Sequence, residues 1–396
     1  LEELEMEILP GCLSPGMIEA YPGRVGLQQR VLPEYRAPFF DCLAQICAGG
    51  LGVFAGQPLP VEQIRTTATL HHAKFFRAHN RHFLHPASPL YQCWQAGFLA
   101  WLQEWQPDVL IVEANPRYPI TRQAIGWMHA HNRPVIGWGL GLSSISGGPS
   151  LAGLLASFRR RQRLELVRSL DAVIAYSQTG AEQYRRSGVA AERVFVALNA
   201  VTPRPAQPPL HRSLAPGEKP LVLFVGRLQA RKRIDLLLQA CASLPAETQP
   251  RLCVVGDGPA RLEMEARARD VYPQAQFLGA RHGAELETLF DSADLFVLPG
   301  TGGLAVQQAM AHGLPVIVAQ GDGTQDDLVR EANGWRIPPG DLQALITVLQ
   351  TALGDVERLH RMGGESYRIV SEEVNLEEMV AVFLRAIKAV GHPPNS

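Results

Sequence analysis

The 396-residue sequence has almost no net charge: 37 Lys and Arg stand against 38 Asp and Glu, a formal −1 with histidine neutral. That balance excludes the basic footprint of a dedicated nucleic-acid binder. Closely spaced cysteines are missing as well. The six, at 12, 42, 47, 93, 241 and 253, contain no Cys-x-x-Cys, which removes the usual zinc and redox signatures and makes a reducing cytoplasm the expected setting. The 12 histidines lack the spacing of a metal site. No apolar run approaches the roughly 18 residues of a spanning helix, and Leu1-Glu2-Glu3-Leu4-Glu5 is acidic where a secretory leader is basic. The expectation is a chain in solution or at the cytoplasmic face of a membrane.

What is present is length enough for two domains. Residues 1–23 lack a helix or strand period and read as an arm. From 24 to 202, strand and helix candidates alternate: Arg24 to Val31, a helix from Ala37 to Ile46, Leu51 to Gly56, Asp108 to Val112, a helix from Thr121 to His131, Pro134 to Trp138, a helix through Leu164, and Ala172 to Ala175. Such alternation predicts a parallel sheet covered on both faces. Four prolines between Thr202 and Pro209 can continue neither a helix nor a central strand, so 203–219 reads as a linker. The pattern restarts over 220–370, with strands expected at Pro220 to Val225, Arg251 to Val255, Gln276 to Leu278, Asp294 to Leu298 and Pro315 to Ala319. A last helix, Leu376 to Val390 within 371–396, has Asn375 as its expected N-cap and is expected to pack back on the first domain. The fold class expected is α/β, with two doubly wound domains facing a cleft and ligands beyond the carboxyl ends of the strands.

Two segments carry chemistry. In Phe224-Val225-Gly226-Arg227-Leu228-Gln229-Ala230-Arg231-Lys232-Arg233 a buried strand runs into a glycine turn and a cationic loop, bringing positive charge to the mouth of the sheet. Fixed Arg and Lys groups there suit a diphosphate that gains charge as a bond to it breaks; Arg231 and Arg233 read as solvated members of the loop. In Leu298-Pro299-Gly300-Thr301-Gly302-Gly303-Leu304 a strand meets a glycine-rich loop and a short helix that ends at Gly313. Free N–H groups at that helix start suit phosphate oxygens.

Gly226-Arg227 with Lys232, Gly256-Asp257-Gly258-Pro259, Phe277-Leu278-Gly279 and Ala309-Met310-Ala311-x-Gly313-x-Pro315-Val316-Ile317 occur in an order and spacing that resembles the family-4 glycosyltransferases of GT-B fold. The resemblance covers the second domain. It implies that Arg227 and Lys232 hold a donor diphosphate, as binding and catalytic groups, and that Gly300, Thr301, Gly302, Gly303 and Leu304 cover the phosphates and the transferred sugar. It also implies retention of configuration without a metal or other cofactor, in keeping with the lack of an Asp-x-Asp motif. The family usually carries two glutamates seven residues apart, where this chain has Gly300 and Gln308. Gln308 keeps an amide able to bond ribose hydroxyls; Gly300 offers backbone alone. The loop Gly321 to Val329 sits where the family has a Gly-Gly-x-x-Glu turn, with Asn333-Gly334-Trp335 expected as the next turn.

The first domain resembles the family less, chiefly in Ser177 and Asn199-Ala200-Val201. Glu113 follows a strand and is a candidate general base or sugar-orienting group, unless it pairs with Arg117. The expected partners are a nucleotide-sugar donor and a glycan, lipid-linked saccharide or small acceptor, with polysaccharide biosynthesis as the setting. Leu70 to His85 and Phe158 to Arg163 mix basic with apolar side chains in a way that suits peripheral contact with an anionic membrane. A sugar-nucleotide-binding partner subunit and a nucleotide-sugar epimerase are the competing expectations.

Overall fold

The computed structural model describes residues 19–62, 64–86, 88, 90–142, 151–209, 214–215, 217–321 and 323–391, with 151–156 as backbone. Most of the arm read over 1–23, Asp322 of the Gly321 loop, and positions 210–213 and 216 of the linker lie outside the described residues. The chain divides into two compact units, Leu1–Val201 with Leu376–Ser396, and Thr202–Asn375.

The first unit is built on a seven-stranded sheet. Its strands are β1 (Val25–Val31), β2 (Leu51–Gly56), β3 (Lys74–Arg77), β6 (Val109–Glu113), β7 (Val135–Gly139), β8 (Ala172–Ala175) and β9 (Val194–Val196). They lie in the order β3-β2-β1-β6-β7-β8-β9, every pairing parallel. Between β3 and β6 the chain inserts an antiparallel hairpin, β4 (His79–Phe83) and β5 (Gln92–Ala96). β2 and β8 are buried along their whole length, as strands covered on both faces must be. One face packs Phe39, Phe40 and Leu27 against Met379, Phe383 and Ile387; the other packs Phe54, Trp101 and Leu110 against Ile125 and Leu166. The helix Leu376–Val390 is thus part of the first unit's core, its Phe383 ring 4.9 Å from Phe39 and edge-on to Trp138 at 5.0 Å.

The second unit has six parallel strands: β10 (Leu221–Val225), β11 (Arg251–Val255), β12 (Gln276–Gly279), β13 (Leu295–Leu298), β14 (Val316–Ala319) and β15 (Gly334–Ile337). Their order is β12-β11-β10-β13-β14-β15. β15 corrects the turn expected at Asn333-Gly334-Trp335. Asn333 closes the turn, but Gly334 opens an edge strand paired to Val316, where a Cβ would overlap the Val316 carbonyl oxygen.

Each sheet reverses its strand order once, between β1 and β6 in the first unit and between β10 and β13 in the second. In open α/β sheets, ligands bind in the crevice beyond the carboxyl ends of the two strands at such a switch. Those ends carry Arg30 and Glu113 in one unit, and the loops starting at Gly226 and Pro299 in the other.

Candidate functional site

In the second unit, backbone meets backbone at the switch. Gly256 has φ +136°, and a Cβ on it would overlap the Gly226 carbonyl; only glycine allows the two strand-end turns to approach so closely. The Leu228 N–H donates to the Asp257 carbonyl at 2.9 Å, fixing the cationic loop. Arg227 emerges half-buried from this turn. After the single helical turn Ala230–Lys232, Arg233 takes a left-handed conformation (φ 55°) and caps the helix Ile234–Ala242. Arg233 is ion-paired with Asp235 at 3.1 Å, while Arg231 is exposed and bonds Gln229.

Lys232 points the other way. A Cβ placed on Gly302 (φ +98°) would lie 2.6 Å from its Nζ, so the ammonium sits in the Gly300–Gly303 loop, just before the helix Leu304–Ala311. Among the described residues no carboxylate pairs with it. Burial, reinforced by Arg231, pushes its pKa down to about 8. A half-buried cation with no carboxylate partner among the described residues, beside the N-terminus of the helix Leu304–Ala311, has the chemistry to receive an anion.

Gly300 has a steric role. A Cβ there would overlap the Arg231 carbonyl and the Lys232 backbone, and the Thr301 N–H donates to that same Arg231 carbonyl at 3.1 Å. The space a side chain would need at 300 is occupied by the loop that carries Lys232. Thr301 is exposed, Gly302, Gly303 and Leu304 are intermediate, and Gln308 is half-buried on the helix, its amide making no hydrogen bond among the described residues. Its neighbour Gln307 is 1% exposed and donates to the Val374 carbonyl at 2.5 Å, a packing role. Sequence reasoning missed Gln325. It lies in the short helix Thr324–Leu328, is 1% exposed, and donates to the Gly302 carbonyl at 3.1 Å. No sequence signal distinguishes it from an ordinary surface amide.

In the first unit, the Glu113 carboxylate accepts the Arg30 N–H at 2.7 Å and the Tyr118 hydroxyl. The alternative pairing with Arg117 is corrected: Arg117 instead gives its backbone N–H to Asn115, and no ion pair joins it to Glu113 among the described residues. The Arg30 guanidinium is held by Glu62 through two bonds of 2.9 and 2.8 Å. Burial raises the Glu113 pKa, opposed by its bond from Arg30 and by the Arg30 charge. The hairpin closes one side: Asn80 donates to the Arg30 carbonyl at 2.8 Å, Gln95 pairs with Gln28, and His82 bonds Tyr91 at 2.7 Å. Burial and the Arg30 charge lower the His82 pKa. Ser177 proves a buried N-cap that accepts the Gly180 N–H, and Asn199 accepts from the buried Arg36. Among the described residues no group of three or more His, Cys, Asp or Glu side chains could hold a metal ion, and no helix is long and apolar enough to cross a membrane.

Two parallel, doubly wound units with a cationic, glycine-lined switch in the second define the GT-B class of α/β fold. Residues 209–368 match the family described as glycosyl transferases group 1. The chain is 36% identical over 152 residues to the sulfoquinovosyl transferase SQD2 of Arabidopsis thaliana, covering 37% of this chain and 29% of that protein. It is 39% identical over 137 residues to a GDP-mannose-dependent alpha-mannosyltransferase of Mycobacterium tuberculosis, 34% of each chain. It thus spans about a third of the length of these curated relatives. The fold is similar across nearly the whole chain to Anabaena HepE in complex with UDP (TM-score 0.68, 19% identity, 93% of this chain and 100% of that one). It is also similar to sucrose-phosphate synthase of Thermosynechococcus elongatus (TM-score 0.66, 19% identity, 92% and 98%).

Proposed function

We propose that the chain is a glycosyltransferase that moves a hexosyl unit from a nucleotide sugar to a hydroxyl of a glycan, lipid-linked saccharide or small acceptor, with retention and without a metal. The observation that carries this reading is the Lys232 ammonium seated in the Gly300–Gly303 loop at the start of the helix Leu304–Ala311. A nucleoside diphosphate leaving group gains negative charge as the glycosidic bond breaks. A desolvated Lys232, the helix N-terminus and Arg227 would stabilise that charge more in the transition state than in the bound donor. Similarity to transferases that use GDP-mannose, and a fold like that of a UDP-bound protein, support the donor class. On the first unit, Glu113 is held by the Arg30 amide and Tyr118, and burial raises its pKa and so its strength as a base; it is our candidate general base toward the acceptor hydroxyl, or the group that orients the donor sugar. Gln308 offers its amide to the ribose.

Calorimetric titration with UDP-, GDP-, ADP- and dTDP-sugars tests the donor site. One clear binder is expected, weakened about 10- to 100-fold by Arg227→Ala and by Lys232→Ala, the scale of a lost charged hydrogen bond. A folded parent that binds none of them would refute the reading. Gly300 supports a second reading, a binder without turnover, because no carboxylate can occupy that position; binding without any transfer in an acceptor screen would select it. A Glu113→Gln variant with the full transfer rate would remove Glu113 from the chemical step.

A further inference from the structure

The hairpin of β4 and β5 turns one face to the Glu113 site and the other to solvent. On the inner face Cys93 and Gln95 are buried, and Asn80 and His82 are partly so. The outer face is set by the register: His79 lies opposite Ala96, Arg81 opposite Trp94 and Phe83 opposite Gln92. Directly opposed residues share a face, so Phe83, Arg81, His79 and the half-buried Trp94 stand together. Near the closed end the Ser88 N–H donates to the His85 carbonyl and the Tyr91 N–H to the Ser88 carbonyl. There Phe83 is 53% exposed, Leu84 60% and Leu90 54%. Leu84 holds a left-handed φ of 67°, a conformation that leucine rarely adopts.

Charge along the segment that forms the hairpin has one sign. From residue 63 to residue 103 the sequence contains no Asp or Glu, but has Arg65, Lys74, Arg77 and Arg81 with five histidines, and all four of those basic side chains are exposed. The carboxylates next to the inner face are already engaged, Glu62 by Arg30 and Glu113 by the Arg30 amide. The stretch Phe158 to Arg163 is less available, since Arg161 is ion-paired with Glu165 and Arg163 is half-buried.

We propose that this hairpin tip docks the protein on an anionic lipid surface, with Phe83, Leu84 and Leu90 entering the headgroup boundary and Arg77 and Arg81 meeting the lipid phosphates. Three apolar side chains cover far less than the roughly 1,200 Å² of a stable protein interface. Inserted beside several basic groups, they suffice for reversible membrane binding. Docking itself does not depend on the transferase reading. Its consequence does: because Asn80, Gln95 and His82 on the inner face wall the Glu113 site, a docked tip would place that carboxyl beside a lipid-linked acceptor.

The test is flotation of the full chain at low salt with vesicles of phosphatidylcholine containing about one third phosphatidylglycerol, against phosphatidylcholine alone. Flotation is expected with the anionic vesicles, at least about tenfold stronger than with the neutral ones. Replacing the tip together (Phe83→Ser, Leu84→Gly, Leu90→Ser) should weaken it about 100-fold or more. Each of Arg77→Glu and Arg81→Glu should weaken it about fivefold or more. Calorimetric donor binding and the melting curve should stay at parent values in all variants, which separates loss of docking from loss of fold or of the donor site. The proposal is overturned if the parent stays in the lipid-free fraction, if neutral vesicles bind it equally, or if the tip variant floats like the parent. A tip-dependent dimer in light scattering without flotation would also overturn it, assigning the face to a second copy of the chain.

Discussion

Lys232 joins local geometry to a measurable proton. Its pKa of about 8 in the free chain reflects burial, with Arg231 adding repulsion. A bound diphosphate stabilises the charged form, so it raises that pKa. Below about pH 7 Lys232 is protonated whether or not donor is bound; above about 8 the free site is largely neutral and must take up a proton to bind. Calorimetry of a binding sugar nucleotide in buffers of different ionisation enthalpy should therefore show uptake approaching one proton near pH 8.5, and affinity falling as pH rises through 8. The Lys232→Ala variant should lose the uptake. A second residue-scale consequence concerns Gly300. Any Cβ there meets the Arg231–Lys232 backbone, so Gly300→Ala should cost about 1–3 kcal/mol, as overpacking does, and weaken donor binding by displacing Lys232. Gly300→Glu should restore nothing, although it recreates the family's carboxylate. Urea unfolding and donor titration of both variants check this; a Gly300→Glu variant with parent stability and raised turnover would refute the steric account.

At the scale of elements, strands buried on both faces were legible, because nearly continuous apolar runs such as Leu221–Val225 and Val109–Glu113 leave little else to be. The helix Leu376–Val390 was legible from its own period. The β4–β5 hairpin was not. It inverts the usual pattern, turning Asn80 and Gln95 inward against Arg30 and Gln28 while exposing Phe83, so its alternation reads as a basic, apolar surface stretch. β15 was hidden because Gly334 signals a turn while serving close strand pairing. In the site, Arg227, Lys232 and the glycine loop could be named from sequence, whereas Gln325 could not, since its partner is a backbone carbonyl 23 positions away. The same scale bears on stability. Phe383 is fully buried against Phe39 and Trp138, and its replacement by alanine should cost about 3–5 kcal/mol. Urea denaturation followed at Trp138 should register that loss; a change under 1 kcal/mol, the scale of an exposed contact, would mean the helix adds little to the first unit.

For the whole molecule, the chain leaves the first unit at Thr202 and returns to it at Leu376, so each unit keeps its own core while the second is inserted in sequence within the first. The tryptophans divide unevenly: positions 94, 101, 105, 127 and 138 fall in the first unit and Trp335 alone in the second. Tryptophan fluorescence therefore reports chiefly on the first unit's sheet, and calorimetry on both. If the donor is held by Arg227, Lys232 and the Gly300–Gly303 loop, it binds the folded second unit and stabilises it by about 2.7 kcal/mol at a hundredfold excess over its Kd. A scanning-calorimetry transition should then move up by several degrees with donor while the fluorescence midpoint stays within about a degree. Equal movement of both would show that the units unfold as one body, in which case a donor-site substitution such as Lys232→Ala should erase both shifts together. Movement of the fluorescence midpoint alone would place the donor on the first unit and overturn the assignment of the cationic switch.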